Sequence, residues 1–247
     1  VADSVFALWE PGPTDVTARR ARSGRAKDDK LQIAIAVRKL KAYGDRDPGD
    51  GAEIFKQSIR ASIVSLVRDK GAEVTFFSTC QGIPEYWTDD SKIALNFAAD
   101  LPADVAPHVQ VDRAFHTPAD LIKRLQGFDG VIACRLHMAI MSICANTPVL
   151  PVSYEPKSED TFADLGRPEL VIKIDEIEPE PFTARALDWV DSLDQVAADL
   201  NAAAPRLKAS ALSAGPLLEQ ALASQGLVPP GAQTPPSTAA RGSIQEL

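Results

Sequence analysis

Cysteine is scarce in this 247-residue chain, with Cys80, Cys134 and Cys144 as the whole complement. Three thiols at such wide spacing give neither a disulfide framework nor a zinc site. The three histidines, His108, His116 and His137, show no two-histidine metal spacing, so no metal is expected. No apolar run approaches the roughly 18 residues that span a bilayer. No basic segment followed by an apolar run opens the chain, so no signal peptide is read. Positive charge is in the minority, 26 Lys and Arg against 34 Asp and Glu for a net charge of −8, and wholesale nucleic-acid binding is excluded on that balance. There is no initiator methionine, and Val1 to Trp9 is apolar, which predicts a fragment of a longer protein. What remains is a hydrophobic fraction of 45% and a charged fraction of 24%, as expected of a reduced, cytoplasmic globular protein large enough to bury a core.

The chain divides into three parts. Residues 1–30 form a leading segment whose stretch Gly12 to Lys30 is polar, carries six basic residues (Arg19, Arg20, Arg22, Arg25, Lys27, Lys30) and is predicted to be a linker or exposed loop. From Leu31 to about residue 223, short β-rich runs alternate with amphipathic helices. Strands are predicted over Leu31–Val37, Glu73–Ser78, His108–Val111, Gly130–Ala133, Pro148–Val152 and Leu170–Ile174. Helices are predicted over Glu53–Lys70 with Gly71 as its stop, Asp89–Ala99, a segment capped by Thr117 and ending near Gly127, and Leu136–Ala145. Thr183 to Ala223 is Ala/Leu-rich and helical, with breaks expected at Pro205 and Pro216. Residues 224–247, rich in Pro, Gly, Ser and Thr, are expected to be a disordered tail. Near-continuous apolar strands alternating with helices give an α/β fold, a Rossmann-like parallel sheet covered on both faces.

In such a sheet, ligands bind beyond the carboxyl ends of the strands. Arg38 follows the first strand, Arg135 and His137 follow the fourth, and Glu155 and Lys157 follow the fifth. The helix opening near Leu136 adds free N–H groups and the positive end of its dipole. Two arginines, a histidine and a lysine on one edge suit a small, multiply charged anion. Taken singly, each residue has a plainer reading. An arginine after a strand is often the partner of a nearby aspartate, His137 between Leu136 and Met138 is equally a half-buried core histidine, and Lys157 alone is a solvated lysine. Cys134 lies in a buried strand and reads as core. His116 stands just before a helix cap, and Asp89-Asp90 start a helix, where negative charge is favourable. The glycine-containing loop Tyr43 to Gly51 matches no phosphate-binding pattern and is predicted to be a flexible turn.

The stretch Gly130-Val-Ile-Ala-Cys-Arg-Leu-His137, followed by Pro148-Val-Leu-Pro-Val-Ser-Tyr-Glu-Pro-Lys157 and Asp164-Leu-Gly166, resembles the signature region of the polysaccharide pyruvyl transferases. Twenty residues separate His137 from Lys157, as in that pattern. Ile33 to Arg38 resembles the family's strand that ends in Arg, and Asp3-Ser-Val-Phe6 the segment before it. The resemblance runs from Val1 to about Ile174. It implies the carboxyl-terminal lobe of a two-lobed, GT-B-like fold, with the amino-terminal lobe missing. It implies phosphoenolpyruvate as donor, with no cofactor, and a sugar or lipid-linked oligosaccharide as acceptor in a cell-surface polysaccharide precursor. The donor site would be Arg135, His137, Lys157 and Arg38. A ketal forms and phosphate leaves, which needs a proton carrier; histidine, with an ordinary pKa near ~6.5, suits that task, so His137 is the expected catalytic residue.

Two other functions stay open at this point. One is a nucleotide-sugar glycosyltransferase or epimerase on the same fold, for which Glu155 is the nearest candidate acid for a ribose. The other is a non-catalytic anion-binding lobe. For the basic Gly12–Lys30 stretch, peripheral contact with an anionic membrane stands beside the solvated-loop reading.

Overall fold

Gly130-Val-Ile-Ala133 and Val149-Leu-Pro-Val-Ser153 are buried at every position, the pattern of strands covered on both faces. In the computed structural model, which describes residues 2–81 and 89–225, they are two of six strands: β1 Gln32–Ala36, β2 Glu73–Phe76, β3 Val109–Val111, β4 Gly130–Ala133, β5 Val149–Ser153 and β6 Ile172–Lys173. All are parallel, in the order β3-β2-β1-β4-β5-β6. This is the doubly wound Rossmann order, whose switch point lies between β1 and β4. The helices are α1 Val16–Arg22, α2 Pro48–Lys70, α3 Asp90–Ala98, α4 Pro118–Leu125, α5 Leu136–Cys144, α6 Pro156–Asp164, α7 Pro179–Asp191, α8 Leu193–Leu212 and α9 Ala214–Ser224. Right-handed crossovers running in opposite directions from the switch point put helices on both faces. One layer sets α2 against α3 and α7; the other sets α5 against α4, α8 and a 3-10 turn at Ser4–Leu8. No described helix is long and apolar enough to cross a membrane.

The predicted strands and most helices appear within a few residues of their expected ends, and three expectations change. α2 begins at Pro48 because the Asp47 side chain accepts from the Gly49 and Asp50 N–H groups and Pro48 occupies the first turn. The second half of the supposed flexible turn is therefore helical; Gly71, in the left-handed region at φ 64°, closes the helix as predicted. Pro205 does not break its helix. It sits inside α8, whose Ala204 and Leu207 are buried, and that packing outweighs the roughly 3 kcal/mol that an interior proline costs. The breaks fall instead at Ser192 and Ser213, and Pro216 lies in the first turn of α9. Residues 226–247 of the expected tail lie outside the described residues.

The third change concerns the basic stretch, which is no exposed linker. Residues 16–22 form α1, capped by Asp15, and Arg19 is 4% exposed. The anchor is Asp129, just before β4 and 1% exposed. Its two carboxylate oxygens accept from Arg20 at 2.9 and 3.0 Å, from Arg25 at 3.1 Å and from the Gln32 N–H at 2.8 Å. Arg19 donates to the Asp129 carbonyl at 2.9 Å. Burial works to raise the Asp129 pKa, but Arg20, the Gln32 N–H and Arg25 outweigh it and hold the carboxyl below its ordinary value. One residue that cannot be seen as a partner in sequence thus turns three arginines inward, two through its carboxylate and Arg19 through its carbonyl, at the amino end of the sheet and away from the ligand edge. Arg22, Lys27 and Lys30 remain exposed.

Candidate active site at the carboxyl edge of the sheet

β1 and β4 end side by side, with Ala36 opposite Ala133, and the chain leaves them as Val37-Arg38 and Cys134-Arg135. Arg38 is half-buried and reaches across to β5, where it donates to the Tyr154 hydroxyl and lies over the Tyr154 ring, 4.3 Å from its centroid. Its Nε is buried without a hydrogen-bond partner. Among the described residues no carboxylate lies within 4.0 Å of this guanidinium. A cation held against an aromatic face with one donor unused is costly for an empty fold. That cost is expected where a ligand anion completes the pairing. Burial raises the Tyr154 pKa against the opposing pull of Arg38, so the phenol is protonated at neutral pH.

Arg135 is the N-cap residue of α5 and makes no side-chain cap bond. Instead its Nε and Nη2 grip the carboxylate of Asp90 in α3 at 2.7 and 2.9 Å, with the Asp90 side chain 1% exposed. Burial alone would lower the Arg135 pKa; the paired carboxylate reverses this and raises it. The plainer reading of an arginine as an aspartate's partner therefore applies to Arg135, although Nη1 is not used in that grip. Asp90 does more than start a helix, and the capping role falls to Asp89, which accepts from the Ser91 N–H at 3.0 Å.

His137, in the first turn of α5, and Lys157, in the first turn of α6, converge on one oxygen of Asp3, at 3.5 and 3.3 Å. Both are largely exposed, with side chains 59% and 61% accessible; His137 is not a core histidine. Asp3 caps the 3-10 turn by accepting from the Val5 N–H at 3.1 Å. Burial would raise its pKa, but the Val5 N–H, Lys157 and His137 together hold it below the ordinary value. α5 has no side-chain cap bond, so its first-turn N–H groups remain available at this edge; α6 offers less, because Pro156 has no N–H and the Ser158 N–H donates to the Glu155 carbonyl at 3.2 Å.

All four residues expected from sequence thus sit on one edge, in two sets: Arg38 with Tyr154 and Arg135 at the switch point, and His137 with Lys157 around Asp3. The sequence reading missed the two carboxylates and Tyr154. Tyr154 and Asp3 lie inside the motifs that carry the family resemblance, but nothing in their spacing gives them a role. Cys134 is buried core, and burial pushes its thiol well above the ordinary range. Glu155 is the N-cap residue of α6. His116 faces a separate cavity beside β2.

Residues 1–156 match the family described as polysaccharide pyruvyl transferase. The amylovoran biosynthesis protein AmsJ of Erwinia amylovora is 26% identical over 164 residues, 66% of this chain and 39% of that protein. Among solved structures, the α,α-trehalose 6-phosphate synthase of Burkholderia multivorans superposes with a TM-score of 0.50 at 16% identity, covering 86% of this chain and 46% of that one. At that identity the likeness shows the fold. The glycotransferase of kitacinnamycin covers 79% of this chain and 44% of its own, at 12% identity and a TM-score of 0.44. The chain spans less than half the length of these relatives. With its Rossmann-like sheet and its Arg-Leu-His turn at the end of β4, the chain belongs to the polysaccharide pyruvyl transferase family.

Proposed function

We propose that this chain is the donor-binding lobe of an enzyme that transfers a pyruvyl group from phosphoenolpyruvate to hydroxyls of a sugar in a cell-surface polysaccharide precursor. The observation that carries the reading is Arg38, a half-buried cation with no carboxylate partner among the described residues, at the switch point of the sheet. Arg135 Nη1, Lys157 and the first-turn N–H groups of α5 lie on the same edge. Arginine can take a carboxylate or phosphate through two parallel bonds, and lysine adds a point charge. Phosphoenolpyruvate presents both anions, and each charge-assisted bond contributes about 1.5–3 kcal/mol.

In the reaction, a proton is added to the enol carbon, and the adjacent carbon, now electron-poor, accepts an acceptor hydroxyl oxygen. A second hydroxyl oxygen then displaces phosphate to close the ketal, and the two hydroxyl protons balance the proton supplied and the one leaving. His137 is the proposed proton carrier, held by Asp3 Oδ2 at 3.5 Å and open to solvent for recharging. Donor binding displaces some of the Asp3 contacts of His137 and Lys157, so the carboxylate holds both side chains in place until the anion arrives. The buried thiols Cys134 and Cys144, neither in a disulfide, suit a reducing, cytoplasmic setting.

Thermal titration of the protein with phosphoenolpyruvate and, separately, with UDP-sugars tests the reading. The true ligand raises the melting temperature with a dependence set by RT ln(1 + [L]/Kd). Stabilisation by UDP-sugars with none by phosphoenolpyruvate refutes it.

A further inference from the structure

One strand away from the switch point, the ends of β2 and β3 enclose a cavity of about 230 Å³. Ser78, Gln81, His116, Leu121 and Met141 line it, and Phe115 stands at its rim. Three polar atoms among its walls are buried without a hydrogen-bond partner: Ser78 Oγ, Gln81 Nε2 and His116 Nε2. The imidazole nitrogen stands 3.2 Å from Asp112 Oδ2, near enough for attraction but off the hydrogen-bond direction. Buried polar atoms without a partner are rare in folded proteins, and Ser78 Oγ and Gln81 Nε2 beside an imidazole in one cavity mark a place for a polar guest. A single water occupies about 30 Å³, so this space takes something larger.

The character of the walls selects the guest. The hydroxyl of Ser78 both donates and accepts, the Gln81 amide donates, and His116 offers a ring nitrogen. The nearest charges cancel, since Asp112 is bound by Arg124 at 2.8 Å. An anion therefore gains little here, in contrast to the Arg38 edge. Leu121 and Met141 supply an apolar wall, and Phe115, 77% exposed, presents a bare aromatic face. Hydroxyl-matching groups, a neutral field and one aromatic platform fit a polyhydroxylated ring with an apolar face. Met141 is four residues after His137 in α5, on the same helix face and one turn below it. The two positions are about 6 Å apart along α5, so the cavity lies next to the helix that carries the proton carrier.

We propose that this cavity seats a neutral sugar ring of the acceptor, a subsite that rests on the pyruvyl-transfer reading above. Saturation-transfer NMR of the protein with the methyl glycosides of glucose, galactose and mannose tests it, with adenosine and uridine as competing probes. Transfer to ring protons of at least one glycoside is expected. Phe115→Ala, at an exposed position that should not disturb folding, and Gln81→Ala should each weaken it roughly 2- to 10-fold, while thermal unfolding confirms that both variants fold. No transfer to any glycoside, transfer only to the nucleosides, or glycoside binding indifferent to both variants overturns the proposal. Phosphoenolpyruvate titrated into the same proteins separates the two readings. Glycoside binding that needs Phe115 and Gln81, in a protein that ignores phosphoenolpyruvate, keeps the sugar subsite and removes the donor reading.

Discussion

Replacing Arg38 and, separately, Arg135 by methionine should separate ligand affinity from fold stability. Arg38 forms a ring contact and one hydrogen bond with Tyr154 and leaves its Nε buried and unpaired. Its removal loses a cation–π contact of about 0.5–2 kcal/mol and relieves an unsatisfied buried donor of about 1–3 kcal/mol. The net change runs from a loss of about 1 kcal/mol to a gain of about 2.5 kcal/mol, roughly 4 °C down to 10 °C up in melting temperature for a domain of this size. Removing Arg135 leaves the Asp90 carboxylate, 1% exposed, without its bidentate partner. Breaking such a pair costs about 3–5 kcal/mol, or roughly 6–20 °C. For phosphoenolpyruvate the order reverses in importance: Arg38→Met forfeits a charge-assisted contact of about 1.5–3 kcal/mol, which is roughly 10- to 150-fold in Kd. Differential scanning calorimetry of the two variants, with and without phosphoenolpyruvate, reads both quantities. An Arg38→Met protein that melts as low as Arg135→Met, or that binds phosphoenolpyruvate like the parent, refutes this division of labour.

Other expectations follow from the same geometry. His137→Gln should cut single-turnover pyruvyl transfer by about 10²- to 10⁴-fold while changing donor affinity far less; near-normal turnover with weakened binding removes the proton-carrier role. Asp129→Ala should lower stability by about 3–5 kcal/mol, since it strips the counter-ion from Arg20 and Arg25. Because the folded pKa of Asp129 lies below the ordinary 3.8, its contribution is present in full above that value and is lost as the pH falls through the folded pKa. The parent should therefore lose more stability than Asp129→Ala in urea melts taken at decreasing pH below about 4, and equal slopes would contradict the assignment. In the native state, iodoacetamide at pH 8 should modify Cys80, which is partly exposed, and spare Cys134 and Cys144; burial pushes the Cys144 thiol up to about 12. Mass spectrometry of the labelled peptides decides the point.

Local chemistry determined much of this protein by itself. The apolar runs around Ile33, Val131 and Leu150 could only be strands buried on both faces. Gly71 and Thr117 stop and start helices through their own backbone and side-chain properties. Once the alternation of strand and helix is granted, the rule that ligands gather at carboxyl strand ends puts Arg38, Arg135, His137 and Lys157 on one edge. Partnership was decided only by the tertiary structure, because it joins residues far apart in sequence. Asp129 turns Arg19, Arg20 and Arg25 inward across more than a hundred positions. Asp90 neutralises Arg135, Asp3 binds both His137 and Lys157, and among the described residues Arg38 is held by Tyr154. A charge announces itself in a sequence; whether it is spent on the fold or left for a ligand depends on which opposite charge the fold brings within reach.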